Sequence, residues 1–331
     1  MLDMTALFDL SPSAAPPEYS LLRAARSAMA TLFEILLPAG LHSGPAAADA
    51  ALDLIDELED QMTVYRTHSE ISQLNERAFA EDVPVESRLF ELLKSAAYLT
   101  RETNGAFDIA AGALIKCWGF YKREGRVPSV AERTLAMNKT GMRHVILNAE
   151  QQTVRYRREG LEINLGAIGK GYALDRAAEM LVTEWNIPSA ILHGGSSSVR
   201  ALGVPPGDPA GWIVAVKHPW EPDRVIGQVR LRHQGLGTSA ATHQHFAYNG
   251  RTLGHLIDPR NGWPAEGIQQ VSVIAPTAAE ADALSTAFYV MGLEATERWC
   301  REHPHIGAVI LSTQDGPTKT LNLAPGVFQS Q

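Results

Sequence analysis

The run N-L-G-A-I-G-K-G-Y-A-L-D at 164–175 surrounds Lys170 with Gly166, Gly169 and Gly171. Glycines this close together let backbone N–H and C=O groups approach a ligand with no Cβ in the way. A helix beginning there adds donors and a partial positive charge, both suited to a phosphate. The spacing is not that of a Walker A loop, where four residues part the first glycine from G-K-[ST]. Nor is it the dinucleotide fingerprint G-x-G-x-x-G. A phosphate-handling turn and an ordinary strand–helix connection both fit. Further on, Asp282 and Thr286 stand four apart in A-A-E-A-D-A-L-S-T-A and share a helix face. A carboxylate and a hydroxyl so placed can hold a hard cation through oxygen, as Mg²⁺ on a pyrophosphate requires. Acids such as Glu280 and Asp282 also serve simply to offset the dipole at a helix N-terminus. His255 precedes Leu256-Ile257-Asp258-Pro259, where a turn begins, and is a candidate general base. His243 and His245 alternate on an expected strand, but no third ligand is spaced to complete a metal site with them.

These groups need elements to position them. Met29, Thr31, Phe33, Ile35 and Leu37 alternate as a half-buried strand should, opening the ordered chain near Ser27. Leu52, Ile55, Leu58 and Met62 define one face of a helix over 46–62, and Ser69-Glu70-Ile71 reads as a capped helix start. A second amphipathic helix spans 87–103 and stops at Asn104-Gly105. The loop G-A-F-D at 105–108 suits backing onto a flat ligand. Residues 144–158 read as strand, polar turn and strand. The glycine run is expected to open as a short apolar strand at Asn164 and continue as a helix to about Trp185. A strand at 190–193 enters a Gly-Gly turn, W-I-V-A-V-K and V-I-G-Q-V-R-L form antiparallel neighbours, and 278–292 is helical.

The 331 residues, 45% hydrophobic and 20% charged, suit a globular protein with ample core. A net charge of -8 argues against nucleic acid and anionic membrane surfaces as main partners. Cys117 and Cys300 have no metal spacing and read as buried thiols. No segment approaches membrane-spanning length, and the first residues lack a basic start and a long apolar run, so a cytoplasmic location is expected. Residues 1–26 read as a loose leader, and 27–325 as one compact domain with no linker or repeat.

Taken in order, the motifs resemble the ApbE-type FAD:protein FMN transferase family over most of the chain. The matching runs are M-A-T, Y-R-T-H-S-E-I-S-Q-L-N, G-A-F-D, N-L-G-A-I-G-K-G-Y-A-L-D, H-G-G-S, G-T-S-A, H-L-I-D-P-R-N-G-W-P and A-D-A-L-S-T-A. The resemblance implies an α+β, T-fold-like architecture of antiparallel sheets backed by helices. It implies FAD as substrate and Mg²⁺ as cofactor. FMN would pass to a Thr or Ser hydroxyl of an acceptor protein carrying a flavinylation motif, with release of AMP. Met29, Tyr65, Ala106, Phe107, Asp108, Asn164, Lys170 and Ile257 match FAD-contacting positions. The carbonyl of Ala167, with Asp282, Ser285 and Thr286, matches the metal site, and His255 matches the base.

The chain departs from the family pattern at Ala30 and Ala240, where Gly is more frequent. It also departs at Asn164 (Asp), Ser196 (Asn) and Asn261 (Thr). Two other readings accommodate these departures: an FAD pyrophosphatase giving FMN and AMP, and a flavin-binding protein without turnover.

Overall fold

The computed structural model describes residues 20–122, 124–221, 223–240 and 245–330. In chain order, β1 (Leu21–Ala28) and β2 (Thr31–Pro38) form a hairpin, followed by α1 (Gly44–Met62), α2 (Glu70–Arg77) and the short β3 (Val83–Pro84). Next come α3 (Ser87–Glu102), α4 (Gly112–Cys117), α5 (Val130–Asn138), β4 (Val145–Asn148), β5 (Thr153–Tyr156) and α6 (Gly169–Thr183). Then β6 (Ala190–Gly194), β7 (Ser198–Leu202), β8 (Trp212–Lys217), β9 (Val225–Leu231) and β10 (Gly235–Ala240) follow. Two small hairpins, β11 (His245–Tyr248) with β12 (Arg251–Gly254) and β13 (Ile257–Asp258) with β14 (Trp263–Pro264), lead to β15 (Gln270–Ala275). The chain closes with α7 (Ala278–Met291), α8 (Leu293–Glu302), β16 (Gly307–Leu311), β17 (Thr318–Leu321) and β18 (Phe328–Ser330).

Eight strands build one antiparallel sheet in the order β1-β2-β6-β7-β10-β15-β16-β17. Alternation assigns its two faces. Phe33, Ile35, Leu192, Val271, Val273, Ala308 and Ile310 pack under the helices. Their neighbours Leu36, Ile191, Ile274 and Val309 pack the other way, against a three-stranded sheet of β8, β9 and β18. The result is α+β, with a helical layer, a large sheet and a small sheet. α7 lies on β10 and β15, and α6 bridges α7 to α1.

Five local expectations change. Residues 21–26, read as leader, belong to β1, which pairs along its whole length with β2. Arg23 and Arg26 mask the pattern: they pair with Glu34 and with Asp53 and Asp56, and such charges are typical of an edge strand. The strand expected over 29–37 is the second arm of this hairpin. Met29 and Ala30 form its two-residue turn with φ of 48° and 60°, the type I′ geometry that favours glycine. At the other end, β18 pairs with β9 and carries the ordered chain past residue 325. Finally, no strand forms at Asn164. The side chain of Asn75 satisfies the Ile163 backbone instead, accepting from its N–H (2.8 Å) and donating to its carbonyl (2.9 Å). Asn164 N–H donates to the Ile109 carbonyl at 2.8 Å. Of the two thiols, Cys300 is buried and Cys117 only half-buried.

Candidate active site

A cleft of about 740 Å³ opens where the glycine run, α7 and the end of β10 meet the loops around Phe107 and His255. Its floor is α7. Asp282 lies one turn inside that helix and is buried. Its carboxylate accepts from the Gly171 N–H (2.8 Å) and from the Ser198 hydroxyl (2.8 Å to each oxygen). Burial pushes the Asp282 carboxyl up to about 6, against the opposing pull of Lys170 and of those two hydrogen bonds. One turn on, Ser239 of β10 bridges the two hydroxyls that share this face, at 2.8 Å from Ser285 Oγ and 3.3 Å from Thr286 Oγ1. Ser285 Oγ also donates to the Asp282 carbonyl at 2.9 Å.

Gly171 makes this approach possible. A Cβ there would collide with the Ala278 carbonyl, so only glycine lets α6 press its first turn against α7. The Asn164 side chain closes a tight turn by accepting from the Gly166 N–H at 2.8 Å. An aspartate would make the same bond, so the turn keeps its shape with Asn.

The largely buried Phe107 also lines the cleft, and its N–H donates to Thr103 Oγ1 at 3.2 Å. Asp108 beside it accepts from the Ala110 N–H (2.8 Å) and the Met142 N–H (3.0 Å to Oδ2). It fixes the loop, and burial raises its pKa. Tyr65 stands 67% exposed at the lip, its ring 4.7 Å from that of Tyr121. An exposed ring backed by a half-buried one can cover a flat heterocycle. His255 also lines the cleft, half-buried and edge-on to Phe120. The turn that follows it is held by Asp258, which accepts from the Arg260 N–H (2.9 Å) and from Asn261 Nδ2 (3.1 Å).

Of the residues singled out in the sequence, Tyr65, Ala106, Phe107, Asp108, Asn164, Ala167, Lys170, His255, Ile257, Asp282, Ser285 and Thr286 all line this one cleft. Met29 does not. It sits in the β1–β2 turn, its N–H donating to Glu59 Oε2 at 2.8 Å, and borders a separate shallow depression with Glu59 and Arg66. His243 lies outside the described residues, and His245 is exposed with Trp220 edge-on to its ring. Ser198 and Ser239 carry much of the site's geometry yet were not singled out. Each lay inside a glycine- and serine-rich run that read as turn or strand.

The donors gathered around Asp282 are all oxygens. Among the described residues no group of three or more His, Cys, Asp or Glu side chains could hold a metal ion. One carboxylate with hydroxyl and carbonyl oxygens is a donor set that suits a hard cation, its remaining positions filled by water or phosphate oxygen.

Residues 29–310 match the sequence model of the ApbE family. This chain belongs to the ApbE family. Among the relatives of this ApbE chain is the FAD:protein FMN transferase of Escherichia coli (strain K12), 29% identical over 280 residues, spanning 83% of this chain and 78% of the relative. The FAD:protein FMN transferase of Treponema pallidum is 29% identical over 299 residues, spanning 85% and 80%. The ApbE protein of Thermotoga maritima superposes with a TM-score of 0.82 at 29% identity, covering 91% of this chain and 96% of its own. The flavin transferase ApbE of Vibrio cholerae gives 0.78 at 25% identity, with the same coverage. The antiparallel sheets backed by helices are thus the ApbE architecture. No helix among the described residues is long and apolar enough to cross a membrane.

Proposed function

We propose that this ApbE-family chain is an FAD:protein FMN transferase, moving FMN from FAD to a Ser or Thr hydroxyl of an acceptor protein and releasing AMP. The observation that carries this reading is the buried Asp282 carboxylate, set with the Ser285 and Thr286 hydroxyls beside the glycine run and Lys170. Asp282, Thr286, Ser285 and the Ala167 carbonyl would hold Mg²⁺. When bound, that cation neutralises charge developing on the pyrophosphate oxygens.

The chain's own residues supply the rest. Tyr65 and Phe107 flank the flavin ring, with Ala106 and Ile257 as apolar walls. Asn164 shapes the Gly166 turn so that the phosphates can approach it closely, and Lys170 adds positive charge. Asp108 keeps its loop in place. His255 takes the proton of the acceptor hydroxyl as its oxygen bonds to the FMN phosphorus, while the P–O bond to the AMP phosphate breaks and AMP leaves. Such a transfer depends on in-line positioning, which a rigid helix floor and a fixed glycine turn provide.

The test is to incubate the full chain with FAD, Mg²⁺ and a protein bearing a Ser/Thr-Gly-Ala-Thr-type segment. AMP is then read by chromatography and flavin fluorescence on the denatured acceptor. AMP together with covalent flavin supports the transferase. AMP with free FMN, and no label on any of several such acceptors, replaces it with an FAD pyrophosphatase. Bound FAD without AMP leaves a flavin carrier.

A further inference from the structure

The glycine run ends in Asp175, which does not line the cleft and has no part in the reading above. Gly171 and Asp175 are four apart on α6 and so share one face. Both meet α7. The Asp175 carboxylate straddles the start of that helix, Oδ1 accepting from the Ala278 N–H at 2.9 Å and Oδ2 from the Ala279 N–H at 2.8 Å. These are two of the four N–H groups that a helix start leaves without a partner inside the helix. An acid in this position also opposes the helix dipole favourably. Thr277 takes the next N–H, that of Glu280, at 3.2 Å. Behind the carboxylate stands Arg200 of β7, with Nε 3.2 Å from Oδ1 and a terminal nitrogen donating to the Pro276 carbonyl at 2.7 Å. The junction between β15 and α7 is therefore clamped from two elements at once.

Below that clamp the contact is tight. The Gly171 backbone lies against the Ala278 carbonyl, and Gly237 of β10 lies against the backbone of Ala281. One turn past Ala278 comes Asp282, and one turn further Thr286. A slip or rotation of α7 at its first turn moves both oxygen donors together with respect to the Ala167 loop.

We propose that Asp175 is a positioning residue: by capping α7 from the neighbouring helix, it fixes the register in which Asp282 and Thr286 face the glycine run and form one divalent-cation site. The inference rests on the reading of those side chains as cation ligands. It does not require that FAD be the substrate.

The experiment titrates Mn²⁺ into the full chain and into Asp175→Asn and Asp175→Ala, read as loss of the free-ion electron paramagnetic resonance signal. FAD binding is measured separately in EDTA by quenching of flavin fluorescence. Asparagine keeps one acceptor and alanine keeps none, so Mn²⁺ affinity is expected to fall about tenfold in the first and further in the second. FAD binding in EDTA should stay within about twofold, and saturating Mg²⁺ should restore AMP release to Asp175→Asn. Asn322→Ala serves as the stability control. It removes the side chain that donates to the Cys300, His303 and Ile306 carbonyls, on a different part of the fold from α7's first turn. It should lower the melting temperature without changing Mn²⁺ affinity. Unchanged Mn²⁺ affinity in both Asp175 variants, a parallel loss of FAD binding, or the same loss in Asn322→Ala would overturn the proposal, as would a wild-type chain that binds no Mn²⁺. A chain that shows the graded Mn²⁺ loss yet turns over no FAD would refute the transferase reading alone.

Discussion

Replacing Asp282 with asparagine should make the metal-free protein more stable while abolishing its activity. The wild-type carboxylate is buried and its pKa is pushed from 3.8 to about 6 by desolvation. A raised acid pKa means that the folded state holds the proton more tightly than the unfolded state does. The stability linked to this group is therefore complete below about pH 4 and is lost as the pH rises through about 6. A shift of that size corresponds to about 3 kcal/mol at neutral pH and above. Asparagine keeps the volume and offers one oxygen to the Gly171 N–H and the Ser198 hydroxyl, but carries no charge to desolvate. In EDTA, urea unfolding should find Asp282→Asn equal to wild type near pH 4 and up to about 3 kcal/mol more stable at pH 8. Adding Mg²⁺ should raise wild type alone and narrow the gap, because only the carboxylate gains from the cation. A gap that does not change with pH would refute the argument, and so would equal stabilisation of both proteins by Mg²⁺.

Three further outcomes are expected. His255→Ala should lower covalent transfer at least 10²-fold and leave FAD affinity unchanged by fluorescence titration, since the ring is assigned to the acceptor's proton and not to FAD. Gly237→Ala sets a methyl group against the Ala281 backbone, which should shift α7 by about 1 Å and cost about 10²-fold in AMP release, with near-normal turnover disproving that contact. Asn75→Ala strips partners from both polar groups of the buried Ile163 backbone and from the Tyr156 hydroxyl, and should destabilise the chain by about 3 kcal/mol in denaturant unfolding.

Much of this molecule could be read from residue order because its strongest signals are local. The Ser69 cap, the stop at Asn104-Gly105 and the strand at 190–193 depend on neighbours in sequence, and each appears where expected. What escaped depends on distant partners. β1 is disguised by Arg23 and Arg26, whose acids lie on β2 and α1. The turn at Met29-Ala30 carries no glycine to announce it, so the expected strand begins inside the turn and the strand before it reads as leader. The extended chain at Ile163 is held by one amide from α2 and not by a sheet, which no periodicity can reveal. In the cleft, the proposed cation ligands Asp282 and Thr286 stand out by their spacing of four, and the proposed base His255 by its place before a turn. Ser198, Ser239 and Asp175 do not, because their importance lies in what they hold, and the partners they hold are 46 to 104 residues away.

The central place of β10 has a consequence for how the protein comes into being. The strand is enclosed between β7 and β15, and the glycine run meets α7 across 111 residues of chain. Contacts of such separation close slowly, because the intervening chain must lose its freedom before the contact rewards it. During synthesis the segment up to α6 is made well before the helix that completes its glycine turn. The cleft is thus among the last features to exist, and a ligand that fits it binds the finished fold and none of its partial forms. Flavin added during refolding should protect the end point without hastening its arrival.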